Sequence, residues 1–193
     1  MELSALFDEM KKASAEMYPD RRVVVGDGDA ESSIMLIGEA PGGDEEKQGK
    51  PFVGKAGKNL TEFLKLIGLE RENLYLSNVV KIRPYRLSEK TGRPVNRPPD
   101  RKEIDFFSEF LYREIDIIKP KIIVTLGNVP LQAVLRDRRV QIGGFHGKPV
   151  KIGEITVFPL YHPAAIIYNR KLESVYYEDI EKLNQGIKEG LGE

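Results

Sequence analysis

A chain of 193 residues is of ordinary single-domain size, and 40% hydrophobic with 31% charged residues is a globular composition with enough apolar material for a full core. No apolar run approaches the roughly 20 residues of a membrane helix, the opening MELSALFDEMKKASAEM has the pattern of neither a signal nor a transit peptide, and there is no cysteine for a disulfide, a thiolate metal site or a thiol nucleophile. The expectations are one domain over 1–193, a cytoplasmic location, a monomer and no membrane partner.

In chain order, an amphipathic helix is predicted near residues 2 to 17, then a buried strand at IMLIG (34–38). An irregular stretch (38–55) leads into a helix from about Gly57 to Ile67, whose apolar face is Leu60, Phe63, Leu64 and Ile67 and whose stop is Gly68. A second strand, LYLSN (74–78), precedes an irregular stretch (79–99) with four prolines. Behind Pro98 and Pro99, Asp100 is placed near the N-cap of a helix that ends at Pro120. Strand KIIVTLG (121–127) follows, then a short helix from Asn128 to Leu135, a hairpin-like excursion (140–154), strand EITVFPL (154–160) and a helix from about Val175 to Ile187. Four β-branched runs alternating with amphipathic stretches predict an α/β fold, a four-stranded parallel sheet flanked by helices.

Ligands of such a sheet sit beyond the carboxyl ends of its strands, so Gly38-Glu39-Ala40-Pro41-Gly42, Asn78, Gly127-Asn128 and Tyr161-His162-Pro163 should face one crevice. The loop from Gly38 to Gly57 holds six glycines and two prolines, which let backbone amides approach a ligand and stay aimed. It matches neither GxxxxGK[ST] nor GxGxxG, and Glu39, Asp44, Glu45 and Glu46 would repel a phosphate. Net charge is zero but unevenly spread: residues 1–47 carry twelve acids against five bases, and 81–102 carry eight bases against Glu89 and Asp100. One basic face toward a phosphate backbone fits that asymmetry, and so does a solvated charged loop.

In order, GEAPG (38–42), GKPFVGKAG (49–57), SNVVK (77–81) with NRPP (96–99), IIVTLG (122–127) and YHPAA (161–165) resemble the family 4 uracil-DNA glycosylases over roughly residues 22 to 172. The resemblance implies a three-layer α/β/α fold and a monofunctional enzyme that removes uracil from DNA. It implies that Phe52 stacks on the flipped base, that Asn78 reads its edge, and that His162 bonds O2, with Ala40, Pro41 and Gly42 completing the pocket. Glu39 is favoured over Glu45 as partner of the sugar cation and the attacking water; where some related glycosylases carry an aspartate, this chain has Ala40. The segment after His162 is the expected wedge, with Ile166, Ile167 or Tyr168 as apolar inserts and Arg170 on phosphate, while Lys81, Arg83, Arg97 and Arg101 are the further phosphate contacts. His146 is expected to be structural or to touch the DNA backbone.

Typical family members hold an iron-sulfur cluster on four cysteines. Here Ile82 and Phe107 stand at two of those places and the N-terminal pair should fall around Ala13 to Met17, so hydrophobic packing is expected in place of the cluster, with no metal and no cofactor. The insert RLSEKTGRPV (86–95) holds no histidine, so the covalent capture of uracil-DNA known in one subgroup is not expected. The competing reading is a non-catalytic protein that binds uracil-containing or damaged DNA.

Overall fold

The structure is a computed structural model that describes residues 2–189. The elements are α1 (Glu2–Met17), β1 (Asp27–Gly28), β2 (Ile34–Gly38), α2 (Gly43–Gln48), α3 (Lys55–Leu66), a 3-10 turn (Arg71–Asn73), β3 (Tyr75–Asn78), β4 (Tyr85–Leu87) and β5 (Pro94–Asn96). They continue with α4 (Arg101–Ile118), β6 (Ile122–Leu126), α5 (Asn128–Leu135), α6 (Ile142–Phe145), β7 (Val150–Ile152), β8 (Ile155–Leu160), α7 (Pro163–Tyr168), a 3-10 turn (Arg170–Leu172) and α8 (Glu173–Lys188).

The sheet order is β1-β3-β2-β6-β8-β7, in which β3, β2, β6 and β8 run parallel and the two edges run antiparallel. The expected four-stranded sheet is therefore the centre of a six-stranded one. Alternation along the strands builds two cores: Met35, Ile37, Ile123 and Val157 pack with α1 and α4, while Leu36, Val124, Phe158 and Leu160 pack with α3 and α8. Asp100 caps α4 as expected: its carboxylate accepts from the Glu103 amide at 2.9 Å and the Glu103 carboxylate accepts from the Asp100 amide at 2.8 Å. The excursion over 140–154 is a helical turn, α6, followed by a true hairpin of β7 with β8 across Gly153, whose φ of 58° suits glycine. Of the two irregular stretches, the first contains α2 and the second contains the β4–β5 hairpin. Ile82 and Phe107 are both fully buried in the first core, where Ala13 packs and Tyr18 stacks on Phe107 at 5.9 Å.

Lys81 is not a phosphate contact. It is 0% exposed and bonds the Ser77 hydroxyl and the Glu114 carboxylate, which also accepts from the Tyr75 hydroxyl at 2.7 Å and from Ser77 at 2.9 Å. Burial, reinforced by Glu114, holds the Tyr75 hydroxyl far above its ordinary pKa, so it remains a donor. Removing one partner of a buried ion pair leaves an uncompensated charge. Lys81→Met should therefore cost about 3 to 5 kcal/mol in chemical denaturation. If the chain binds DNA as the resemblance implies, the slope of affinity against salt should not move; a slope lowered by one phosphate contact would restore Lys81 to the interface.

Candidate active site

Three strand ends and two loops build the site. At the end of β2, Gly38 forms a floor: a Cβ there would lie 2.4 Å from the Asn78 carbonyl oxygen and 2.7 Å from the Phe52 ring. The two side chains thus converge over a position where only hydrogen fits. Phe52 holds φ 54°, the left-handed region that costs a bulky residue about 1 to 2 kcal/mol. Two groups brace it. A Cβ on Gly57 would sit 2.0 Å from the Phe52 carbonyl oxygen, and the Arg71 guanidinium donates to the carbonyls of Pro51 at 2.7 Å and Phe52 at 2.9 Å. Asn78 is 4% exposed, yet its side-chain amide has no hydrogen-bond partner among the described residues. The amide opens instead into a cavity, where its donor and its acceptor are both available to a ligand.

His162 is the N-cap of α7, and its Nδ1 accepts the Ala164 amide at 3.1 Å. An accepting Nδ1 carries no proton, so the ring is the neutral tautomer with Nε2–H as its free donor. Burial agrees, lowering the His162 pKa below its ordinary 6.5, with the Glu45 charge pulling weakly the other way. Burial also raises the Glu39 pKa, and the Glu39 carboxylate has no hydrogen-bond partner among the described residues. Glu45 lines the same cavity as Asn78 and His162 and also has a structural job: its oxygens accept the backbone amides of Gly42 at 3.2 Å and Gly54 at 2.9 Å, stapling the loop across that span.

Two adjoining cavities open here. One of about 380 Å³ is lined by Phe52, Asn78, His162, Gly42 and Ala40, with Lys55 at its edge; the other, about 210 Å³, holds Glu39, Pro41, Arg97 and again His162. Asn96 borders both; its Oδ1 accepts from Arg83 at 2.7 Å. Asn96, Lys55 and Arg71 were missed by sequence reasoning. NRPP and GKAG carried signals for the first two; nothing marked Arg71. A larger groove of about 850 Å³ lies between α4 and α5, where Arg101 lines it, away from Asn78 and His162.

The other expected DNA contacts divide. Arg83 pairs with Glu46 at 3.1 Å, and Arg97 forms a two-pronged bond with Glu103 at 2.7 Å each, so neither is a free cation. Arg170 is exposed and lines a groove that Lys55 joins to the base cavity. Ile166 is no wedge: at 8% exposure it packs with Leu60, Leu64 and Phe158, because it lies one turn after the buried Pro163 on the inward face of α7. The side chains of Ile167 and Tyr168 lie outside the described residues. His146 Nδ1 meets the buried Asp179 carboxylate at 2.7 Å and its ring lies against Tyr161 at 4.8 Å.

A crevice at the carboxyl ends of a parallel sheet, with an open amide, a braced aromatic ring and a neutral imidazole, is the plan of an α/β protein that grips a small planar polar ring. The chain belongs to the uracil DNA glycosylase superfamily, whose family model matches residues 25–185. It is similar to the type-4 uracil-DNA glycosylase of Sulfurisphaera tokodaii, 44% identical over 84% of this chain and 73% of the relative. The type-4 enzyme of Thermotoga maritima is 40% identical over 94% of this chain and 92% of its own length, and that of Saccharolobus solfataricus 36% identical over 96% and 86%. A thiolate-held iron-sulfur cluster does not fit this chain, which has no cysteine; Ile82 and Phe107 are both fully buried in the first core.

Proposed function

We propose that this chain hydrolyses the N-glycosidic bond of deoxyuridine in DNA, releasing uracil and leaving an abasic site, with no cofactor and no lyase step. The observation that carries the reading is the convergence of Phe52, the open Asn78 amide and the neutral His162 on one cavity. A uracil rotated out of the stack, at a cost of a few kcal/mol, is held against the Phe52 ring. Asn78 donates to O4 and accepts from N3–H. With the amide in that orientation, cytosine, which has an amino group at position 4 and no N3 proton, leaves both of its halves unmet, whereas a flipped amide would accept it. As the bond to the sugar breaks, charge grows on O2, and His162 Nε2–H is the donor that stabilises it. Glu39, desolvated and unpaired, faces the forming sugar cation and orients the water that captures it.

Phosphate contact on this reading falls to Arg170 and Lys55, which share a groove beside the base cavity, and wedging to Ile167 or Tyr168. The protein is proposed to work as a monomer in the cytoplasm; among the described residues no helix is long and apolar enough to cross a membrane. Incubation with a uracil-containing oligonucleotide followed by alkali tests the reading. Strand cleavage at the uracil is expected; tight binding without cleavage would make this a binding protein instead. Glu39→Gln should slow excision by about 10²-fold or more, and Glu45→Gln should act mainly by loosening the loop, lowering thermal stability with it. Full activity in Glu39→Gln would remove the carboxylate from the chemistry.

A further inference from the structure

Arg71 lines neither of the two cavities, yet it makes two of the most specific contacts in the site. Its guanidinium reaches two successive main-chain carbonyls, those of Pro51 and Phe52, from one planar fork. Successive carbonyls point to opposite sides in extended chain and to one side where the chain turns, and here that turn contains the left-handed Phe52. The Phe52 carbonyl is gripped between this fork and the bare Cα of Gly57, the only residue type that lets the start of α3 come so close.

The fork is itself anchored. Arg71 opens the 3-10 turn that leads directly into β3, the strand that ends at Asn78. Its outer nitrogen also faces Asp27 at 3.7 Å, and Asp27 sits on β1, paired with Leu76 of β3. One side chain thus ties the turn carrying the aromatic ring to the strand carrying the amide, from behind and out of reach of any base in the cavity.

We propose that Arg71 is a positioning residue for base capture: it holds Phe52 in its left-handed turn so that the ring stands ready over Gly38, in register with Asn78, before a base arrives. This rests on the reading of Phe52 as the ring that stacks on uracil. An aromatic platform set in advance need not be ordered during binding, so the loss on removing the fork should run through Phe52 and nothing else.

Single-turnover excision from a uracil-containing single strand tests this in wild type, Arg71→Met, Phe52→Ala and the double variant. Arg71→Met should slow wild type by about tenfold or more, and slow Phe52→Ala by less than about threefold, because residues acting as one unit are not additive. Losses that multiply in the double variant would overturn the proposal, since a general structural role weakens both backgrounds alike. Arg71→Lys keeps the charge opposite Asp27 but lacks the planar fork, and should also be impaired; wild-type behaviour there overturns it too. Backbone amide exchange over residues 49–57 should quicken in both Arg71 variants whatever the activity, and unchanged exchange counts against the clamp. A wild-type protein that excises nothing refutes the functional reading, while the exchange result still decides the clamp.

Discussion

Replacing His162 with alanine is expected to slow uracil excision by about 10² to 10³-fold in single turnover, the usual cost of deleting a donor aimed at developing charge. Alanine also removes the cap on the Ala164 amide, worth about 1 kcal/mol, so the loss of a donor and the loss of a cap must be told apart. His162→Asn separates the two. Asparagine is among the best N-caps and can accept the Ala164 amide, but its shorter side chain cannot place a donor where Nε2–H stands. It should melt like wild type and be as slow as alanine. An asparagine variant with wild-type rates would mean that His162 caps a helix and does nothing more.

The pH dependence follows from the same geometry. Because burial lowers the folded pKa of His162, its neutral form contributes stability that is present above the unfolded pKa and is lost as pH falls through the folded one. Protonation would also put a hydrogen on Nδ1, against the Ala164 amide. Activity should be level through neutral pH and fall in acid. Glu39, shifted upward by burial, loses its charge at a higher pH than an ordinary carboxylate, so two groups shape the acid limb, and the residual activity of Glu39→Gln isolates the histidine.

Gly38→Ala is the second large effect. Gly38 is not among the residues at positive φ, so the backbone accepts alanine and the damage is confined to what stands above it. The added carbon cannot share space with both the Asn78 oxygen at 2.4 Å and the Phe52 ring at 2.7 Å. The ring is pinned by its carbonyl and the amide by its strand, so both tilt out of place together. A displacement of about 1 Å at a positioned group can cost about 10²-fold in rate. Excision should fall by at least that much, and because Phe52 belongs to the buried core the overpacking should also cost about 1 to 3 kcal/mol in denaturation. Wild-type kinetics in a folded Gly38→Ala protein would show that the convergence of these two side chains is not what captures the base.

The central strands were legible because strands buried on both faces have no polar alternation: IMLIG and IIVTL are continuous apolar runs. The edges were not. β1 is two residues long, and β7 and the β4–β5 hairpin are largely exposed, so none has a hydrophobic signature to read. Among the site residues, Phe52, Asn78 and His162 stood in motif blocks. Lys81 was misread because a lysine in a basic stretch looks solvated until Glu114, 33 positions away, is folded against it. Ile166 was misread because the inward face of α7 depends on where that helix begins. Arg71 and Glu45 act on main-chain groups, and which amides and carbonyls need a partner is decided by the fold.

The plug of Ile82, Phe107 and Tyr18 bears on life under oxidants. A thiolate cluster can be dismantled by peroxide, and its scaffold must wait for iron and sulfide to be delivered. A region closed by apolar side chains, among them the thioethers of Met10 and Met35, has no such dependence, and a chain with no thiol has none to oxidise. Folding of this region should therefore depend on neither iron supply nor cluster assembly, and the purified protein should refold to the same denaturation midpoint with or without added iron and sulfide.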